Sequence, residues 1–370
     1  MPPDFHTLDK PRRRILALDG GGIRGVFTIE VLARMEELLR QHTGREDLVL
    51  ADHFDLIAGT STGAIIATFL SWGESVDTVR QLYAEQAHRM FARAPWWQRQ
   101  RGKFSEKNLC DMLRSFFVEA DGTPAKLGTE RLRTLLLIVM RNATTGSAWP
   151  LTNNPCALYN QRTLPDGSPN EECNLDLPLW QLVRASTAAP LYFPPEVITL
   201  GRQKFEFLDG GITAYNNPAL IAYLTATQPC YRLGWPAGTD RLHLVSIGTG
   251  QTRARISERL RRLRRLLGTF GLATAVPASL IDSISREQDL ICRTLGHMVH
   301  GAPLDSEATE IHGLHQFTYA RFNREFTSSE VAAAEQTHGG GFSLDNLQMI
   351  QFLTEEGRRF AEQVRLEYLV

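Results

Sequence analysis

The stretch FDLIAGTSTG, residues 54–63, decides how the rest of the chain is read. Phe54–Ala58 is a short apolar run, and it passes into Gly59-Thr60-Ser61-Thr62-Gly63, a G-x-S-x-G motif followed from about Thr62 by a helical pattern. A serine between a strand and a helix, flanked by glycines, occupies a sharp turn that exposes its hydroxyl at the carboxyl end of a sheet. The next amide, that of Thr62, is then available to a developing oxyanion. The bland alternative is a polar turn that happens to carry a serine. Working outward, Ile15–Asp19 is another apolar run, ending in Gly20-Gly21-Gly22, and Val26 to Arg40 sets Phe27, Val31, Met35 and Leu38 on one helical face. Thr134–Met140 is apolar at nearly every position, as suits a parallel strand buried on both faces. Lys204–Leu208 and Arg241–Ile247 are further strand candidates. Strands alternating with helices predict an α/β fold, a three-layer α/β/α sandwich around a mostly parallel sheet. The segments 92–103 and 141–174 read as long loops, and the chain from about residue 252 reads as mostly helical.

Composition bounds the function. The 370 residues are 43% hydrophobic and 22% charged, ordinary for a globular chain and unlike a disordered or fibrous one. Forty basic and 41 acidic residues leave a net charge of −1, which disfavours a binder of nucleic acid polymers. Cys110, Cys156, Cys173, Cys230 and Cys292 are scattered without a CxxC pair, so neither a disulfide scaffold nor a cysteine-rich zinc site is expected, and a reducing cytoplasm is the simplest home. Residues 1–14 contain no apolar segment for a signal peptide. The apolar stretch Leu266 to Ile281 is 16 residues with Gly and Pro inside, short of the roughly 20 a spanning helix needs. A soluble protein that touches a membrane from outside fits these readings.

Two further segments carry chemistry. Asp19-Gly20-Gly21-Gly22-Ile23-Arg24-Gly25 joins a strand to a helix. Glycines bring bare N–H groups close to a ligand, and the helix start adds unpaired donors. The spacing of Gly20, Gly22 and Gly25 also fits the dinucleotide fingerprint, but the acidic residue expected about 20 residues on, at the end of a second strand, is missing; Glu36 and Glu37 fall inside the predicted helix. Beside a serine nucleophile, the amides around Gly21, Gly22 and Ile23 are candidates for an oxyanion hole, each donor being worth about 3 kcal/mol in the transition state. Phe207-Leu208-Asp209-Gly210-Gly211 sets an aspartate at a strand end, where burial and a hydrogen bond to Ser61 would raise its proton affinity and make it a base. An Asp-Gly turn with no other role is the alternative.

These segments resemble the patatin-like phospholipases, whose hallmarks are a D-G-G-G-x-R-G loop, a G-x-S-x-G elbow and a D-G-[GA] segment. Here they stand in that order at 19–25, 59–63 and 209–211, with softer resemblances at Arg184–Pro190 and Ser246–Gly250. The resemblance implies a Ser–Asp dyad without histidine. Ser61 would be the nucleophile and Asp209 the base. Gly20, Gly21, Gly22, Ile23 and Thr62 would supply the oxyanion hole. Phospholipids or related acyl lipids would be the substrates, with no metal or other cofactor. It divides the chain into an N-terminal lead (1–13), a catalytic core (14–250) and a mostly helical C-terminal region (251–370) on the same domain. Arg24 has two readings, as a substrate-binding or loop-shaping residue and as a structural ion-pair partner. Some compact bacterial members of the family are switched on by cyclic dinucleotides, so such an activator is a further implied partner.

Rival features remain. His243 follows Asp209 on a predicted strand and gives the chain order Ser, Asp, His of a triad. His297, His300, His312 and His315 spell H-x-x-H twice, a conceivable metal pair if the spacing is helical. Seven arginines between Arg253 and Arg265 alternate with Ile256, Leu260, Leu263 and Leu267, the pattern of a basic amphipathic helix for anionic lipid or of an ordinary surface helix. Arg89, Arg93, Arg99, Arg101 and Lys103 surround Phe91, Trp96, Trp97 and Phe104, a second candidate for a membrane-facing segment or lid.

Overall fold

The computed structural model describes residues 10–90, 103–252, 281–301, 315–339 and 341–370. Strand β1 (Arg13–Leu18) leads through a single 3-10 turn into helix α1 (Gly25–Thr43), which Gly44 ends in the left-handed conformation. Then come α2 (Leu50–His53), β2 (Leu56–Thr60), α3 (Thr62–Trp72), α4 (Val76–Met90), α5 (Lys107–Phe116), β3 (Leu135–Asn142), β4 (Ser147–Thr152), α6 (Leu179–Ser186), β5 (Glu196–Leu200), β6 (Gln203–Asp209), α7 (Ala219–Thr227), β7 (Leu242–Ile247) and β8 (Gln251–Thr252). Beyond these lie a helix, α8, over 281–295, β9 (His297–His300), β10 (Thr318–Phe322), β11 (Glu325–Phe326), α9 (Ser328–His338) and α10 (Ile350–Ala361).

Nine strands form the main sheet. Its parallel part runs β3-β2-β1-β7-β10-β9; β4 and β6 join β3 in antiparallel sense and β5 continues from β6. Side chains alternate across it. Leu16, Leu18, Ile57, Ile138, Met140, Val245 and Ile247 pack toward the face covered by α1, α3 and α10. Ile15, Ala17, Leu56, Ala58, Leu137, Val139 and Leu244 pack with residues of α7 and Cys292 of α8 on the other. Burial on both faces is what the continuous apolar runs predict, and the fold is the three-layer α/β/α sandwich with a mostly parallel sheet.

The chain builds outward from β1 in both directions. The strand order therefore reverses at β1, the kind of point whose carboxyl edge holds ligand sites in open α/β sheets. Two of the nine strands, β9 and β10, come from beyond residue 250, in a region the periodicity reads as mostly helical. The stretch 141–174 contains β4, which the pattern does not suggest because Pro150 lies in its middle. Proline is tolerated there because β4 pairs on one side only, with Pro150 opposite Val139.

Candidate active site

The last residue of β2, Thr60, pairs with Val139 of β3, and Asp209, the last residue of β6, pairs with Met140, the next residue along. Strand β4 occupies the opposite edge of β3 at both positions. Strands β2 and β6 therefore share one edge of β3, run in opposite senses, and meet there end to end. Ser61 leaves β2 at the point where Asp209 arrives. The Ser61 Oγ donates to Asp209 Oδ2 at 2.6 Å.

Ser61 adopts φ 55° and ψ −123°, a conformation that costs a non-glycine residue about 1–3 kcal/mol and persists only where neighbours impose it. Those neighbours are visible. The Ser61 amide donates to Ser186 Oγ at 2.9 Å, and that hydroxyl donates to the Val139 carbonyl at 2.6 Å. Thr60 Oγ1 donates to the Tyr215 carbonyl at 2.7 Å. The elbow is thus tied to β3 by one fully buried serine at the end of α6.

Asp209 is only 4% exposed. Its Oδ1 accepts the Gly211 amide at 2.6 Å, and its own amide donates to the Ala188 carbonyl at 3.0 Å. Burial alone pushes the carboxyl up to about 6; the hydrogen bond from Ser61, expected from the sequence to raise it as well, instead pulls it down, as do the Gly211 hydrogen bond and the Arg184 charge, because each stabilises the ionised form. Such a group is mostly ionised at neutral pH and still a far better proton acceptor than an exposed aspartate.

The glycine loop lies against Ser61. A Cβ on Gly20 would fall 2.4 Å from Asn216 Oδ1 and 3.1 Å from the Ser61 Cβ, so only bare backbone fits. Gly22 takes φ +59°, where glycine is favoured. The loop is anchored at its base by Asp19, which accepts two hydrogen bonds from the buried Arg321 of β10, at 2.8 and 2.6 Å. The five amides suggested for an oxyanion hole are not equivalent. Gly20 N–H donates to the Asn216 carbonyl at 3.1 Å and Ile23 N–H to the Leu344 carbonyl at 2.8 Å, so both are already engaged. Among the described residues the amides of Gly21 and Gly22 have no protein acceptor, and Thr62 heads α3, where the first N–H groups have none within the helix.

Arg24 is buried, donating to the carbonyls of Gly250 at 3.0 Å and Gly21 at 3.4 Å, with Phe342 beneath its guanidinium. It joins the glycine loop to the segment after β7. His243 does not meet Ser61. It pairs with Arg14 at the amino end of β7, four residues before the strand's last residue, Ile247, and so lies roughly 13 Å along the sheet from the strand ends. Burial pushes its imidazole down to about 3. His297 and His300 lie on strand β9, so their i, i+3 spacing does not give a shared helical face; His312 lies outside the described residues. Among the described residues no group of three or more His, Cys, Asp or Glu is arranged for a metal. The arginine-rich segment 253–265 and residues 91–102 of the Trp-containing segment also lie outside them. No described helix is long and apolar enough to cross a membrane.

Sequence reasoning attached no role to Ser186 or Arg321. Ser186 stands within the Arg184–Pro190 motif, which was a usable signal. Arg321 carried none, because its partner Asp19 is 302 residues away.

A profile of the patatin-like phospholipases matches residues 16–223, more than half of the chain. The chain belongs to the patatin-like phospholipase family. It is 31% identical over 255 residues to a cGAMP-activated phospholipase of Escherichia coli (strain TW11681), covering 66% of this chain and 64% of that one. A cGAMP-activated phospholipase of Vibrio cholerae is 31% identical over 228 residues, with 60% and 59% covered, and Patatin-17 of Solanum cardiophyllum 28% over 255 residues, with 64% and 60% covered. The chain thus spans about 60% of the length of these relatives.

Proposed function

We propose that this chain is a lipid acyl hydrolase that cleaves carboxylic esters of phospholipids at a bilayer surface, with Ser61 as nucleophile and Asp209 as general base. The observation that carries this reading is the 2.6 Å hydrogen bond from Ser61 Oγ to a buried carboxylate of raised proton affinity.

In the first half-reaction Asp209 takes the hydroxyl proton as Ser61 Oγ bonds to the ester carbonyl carbon. The carbonyl oxygen becomes an oxyanion facing the amides of Gly21 and Gly22, with Thr62 as a third donor. Collapse breaks the bond to the lipid alcohol, which leaves with the proton held by Asp209. In the second half-reaction Asp209 takes a proton from water, the resulting hydroxide adds to the acyl carbon, and collapse frees the fatty acid while the proton returns to Ser61. Arg24 shapes the glycine loop in this scheme. The names of the Escherichia coli and Vibrio cholerae relatives support a cyclic dinucleotide as activator. We read residues 14–250 as the catalytic core, preceded by an N-terminal lead over 1–13, and 251–370 as a C-terminal region on the same domain.

The test is fatty-acid release from mixed phospholipid vesicles, with and without cGAMP. Wild type should release fatty acid, more with the nucleotide, and Ser61→Ala and Asp209→Asn should release none above background. Full activity in Asp209→Asn would remove Asp209 from the mechanism. Release from short dispersed esters alone would favour a non-lipid esterase on the same nucleophile.

A further inference from the structure

Among the described residues three that are not glycine take positive φ, namely Ser61, Leu191 and Arg232. The strain at Ser61 belongs to the elbow. Leu191 combines φ 73° with a side chain that is 65% exposed, so it adopts a backbone conformation unfavourable to a branched side chain and holds an apolar group in water. Neither feature helps the fold, since the side chain is not in the core.

The position of Leu191 is also specific. It lies three residues after Ala188, whose carbonyl accepts the Asp209 amide. The turn around it is fixed from both sides. The amides of Tyr192 and Phe193 donate to the Ala189 carbonyl at 3.0 and 2.9 Å. The Leu191 and Tyr192 carbonyls accept the amides of Lys103 and Phe104 at 3.0 and 2.8 Å. Phe104 stacks on Tyr192 and packs against Phe193, whose ring lies beneath the buried Arg184 guanidinium. A mobile loop tip would relax out of positive φ; this one is held by four main-chain hydrogen bonds and an aromatic platform. The result is one leucine presented outward from the segment that also anchors the candidate base.

We infer that Leu191 is a lipid-contacting residue at the rim of the active site, entering the acyl region of the bilayer beside the ester presented to Ser61. The occupant is a phospholipid surface rather than a protein partner, because the exposed apolar side chain belongs to the segment that holds Asp209. This rests on the reading of the chain as a phospholipid hydrolase. Leu191 deepens that reading by giving the site a means of telling aggregated lipid from dispersed ester.

The experiment compares Leu191→Asn, Leu191→Gly and Leu191→Met with wild type. Asparagine and glycine both accept positive φ, so neither variant strains the turn further. Co-sedimentation with phosphatidylethanolamine–phosphatidylglycerol vesicles is measured in a Ser61→Ala background, which separates binding from chemistry. The apparent affinity should fall about tenfold for Leu191→Asn and Leu191→Gly, the scale of burying one leucine side chain, and survive in Leu191→Met. With Ser61 intact, the ratio of vesicle turnover to turnover of a dispersed short-chain ester should fall by a similar factor. Equal sedimentation of Leu191→Asn and the Ser61→Ala parent, or no sedimentation of the parent, overturns the inference. So does a parallel loss on both substrates, which would make Leu191 a support of the catalytic centre. Failure of the hydrolase reading shows itself separately, as no fatty-acid release from vesicles by wild type with or without cGAMP.

Discussion

Replacing Asp209 by asparagine should make the protein more stable at neutral pH while abolishing its activity. The side chain keeps its shape. An asparagine Oδ1 still accepts the Gly211 amide, and its Nδ2 can donate to Ser61 Oγ where the carboxylate accepted. What disappears is a buried negative charge. The carboxyl is raised from 3.8 to about 6 in the folded protein, chiefly by burial. Between about pH 4 and pH 6 the folded state therefore binds more protons than the unfolded chain, and stability falls as pH rises through that window. Below about pH 4 the penalty is absent; above about pH 6 it is complete, at roughly 3 kcal/mol for a shift of about two units. Urea denaturation of wild type and Asp209→Asn from pH 4 to pH 8 measures it. The two should nearly coincide near pH 4, with Asp209→Asn more stable by up to about 3 kcal/mol at pH 8. A difference that does not vary with pH, or a variant less stable at pH 8, would refute the argument that burial is what makes Asp209 basic.

Other consequences follow from the same geometry. Ser186→Ala removes the acceptor of the Ser61 amide and the donor to Val139, so it should cost about 1–2 kcal/mol in denaturation and lower kcat far more than it changes KM. Arg321→Ala leaves Asp19 buried without its partner; a loss of about 3–5 kcal/mol is expected by urea titration, and Arg321→Lys should recover little of it because a lysine cannot donate the paired bonds. Gly20→Ala would press a methyl on Asn216 and Ser61, so kcat/KM for ester hydrolysis should drop about 100-fold for a displacement near 1 Å.

The legible part of this protein was the part written locally. A strand running into G-x-S-x-G, a strand running into three glycines and a strand ending in Asp-Gly-Gly each announce a turn at a strand end; parallel pairing sets the first two side by side, and antiparallel pairing of β6 on β3 brings the third to meet them. The illegible part depends on residues far apart in the chain. Whether a loop amide is free is decided by Asn216 and Leu344, neither of which belongs to a motif. The glycine loop is anchored by Arg321 from a strand in the region read as mostly helical. The rivalry of His243 could not be resolved from chain order, because order does not tell which end of a strand a residue occupies; the pairing with Arg14 does. Arg24 read equally as a substrate-binding or loop-shaping residue and as a structural ion-pair partner, and its bonds to the carbonyls of Gly21 and Gly250 join segments that are 226 residues apart in the chain.

The central claim is that Ser61 is a nucleophile activated by Asp209, and covalent labelling tests it most directly. A fluorophosphonate ester would be added across a pH series and its adduct mapped by peptide mass spectrometry. The account predicts a single adduct on Ser61, forming at a rate that rises with pH to half its plateau near pH 6, and little adduct in Asp209→Asn. An adduct on another residue, or labelling of Ser61 at the wild-type rate in Asp209→Asn, would contradict it.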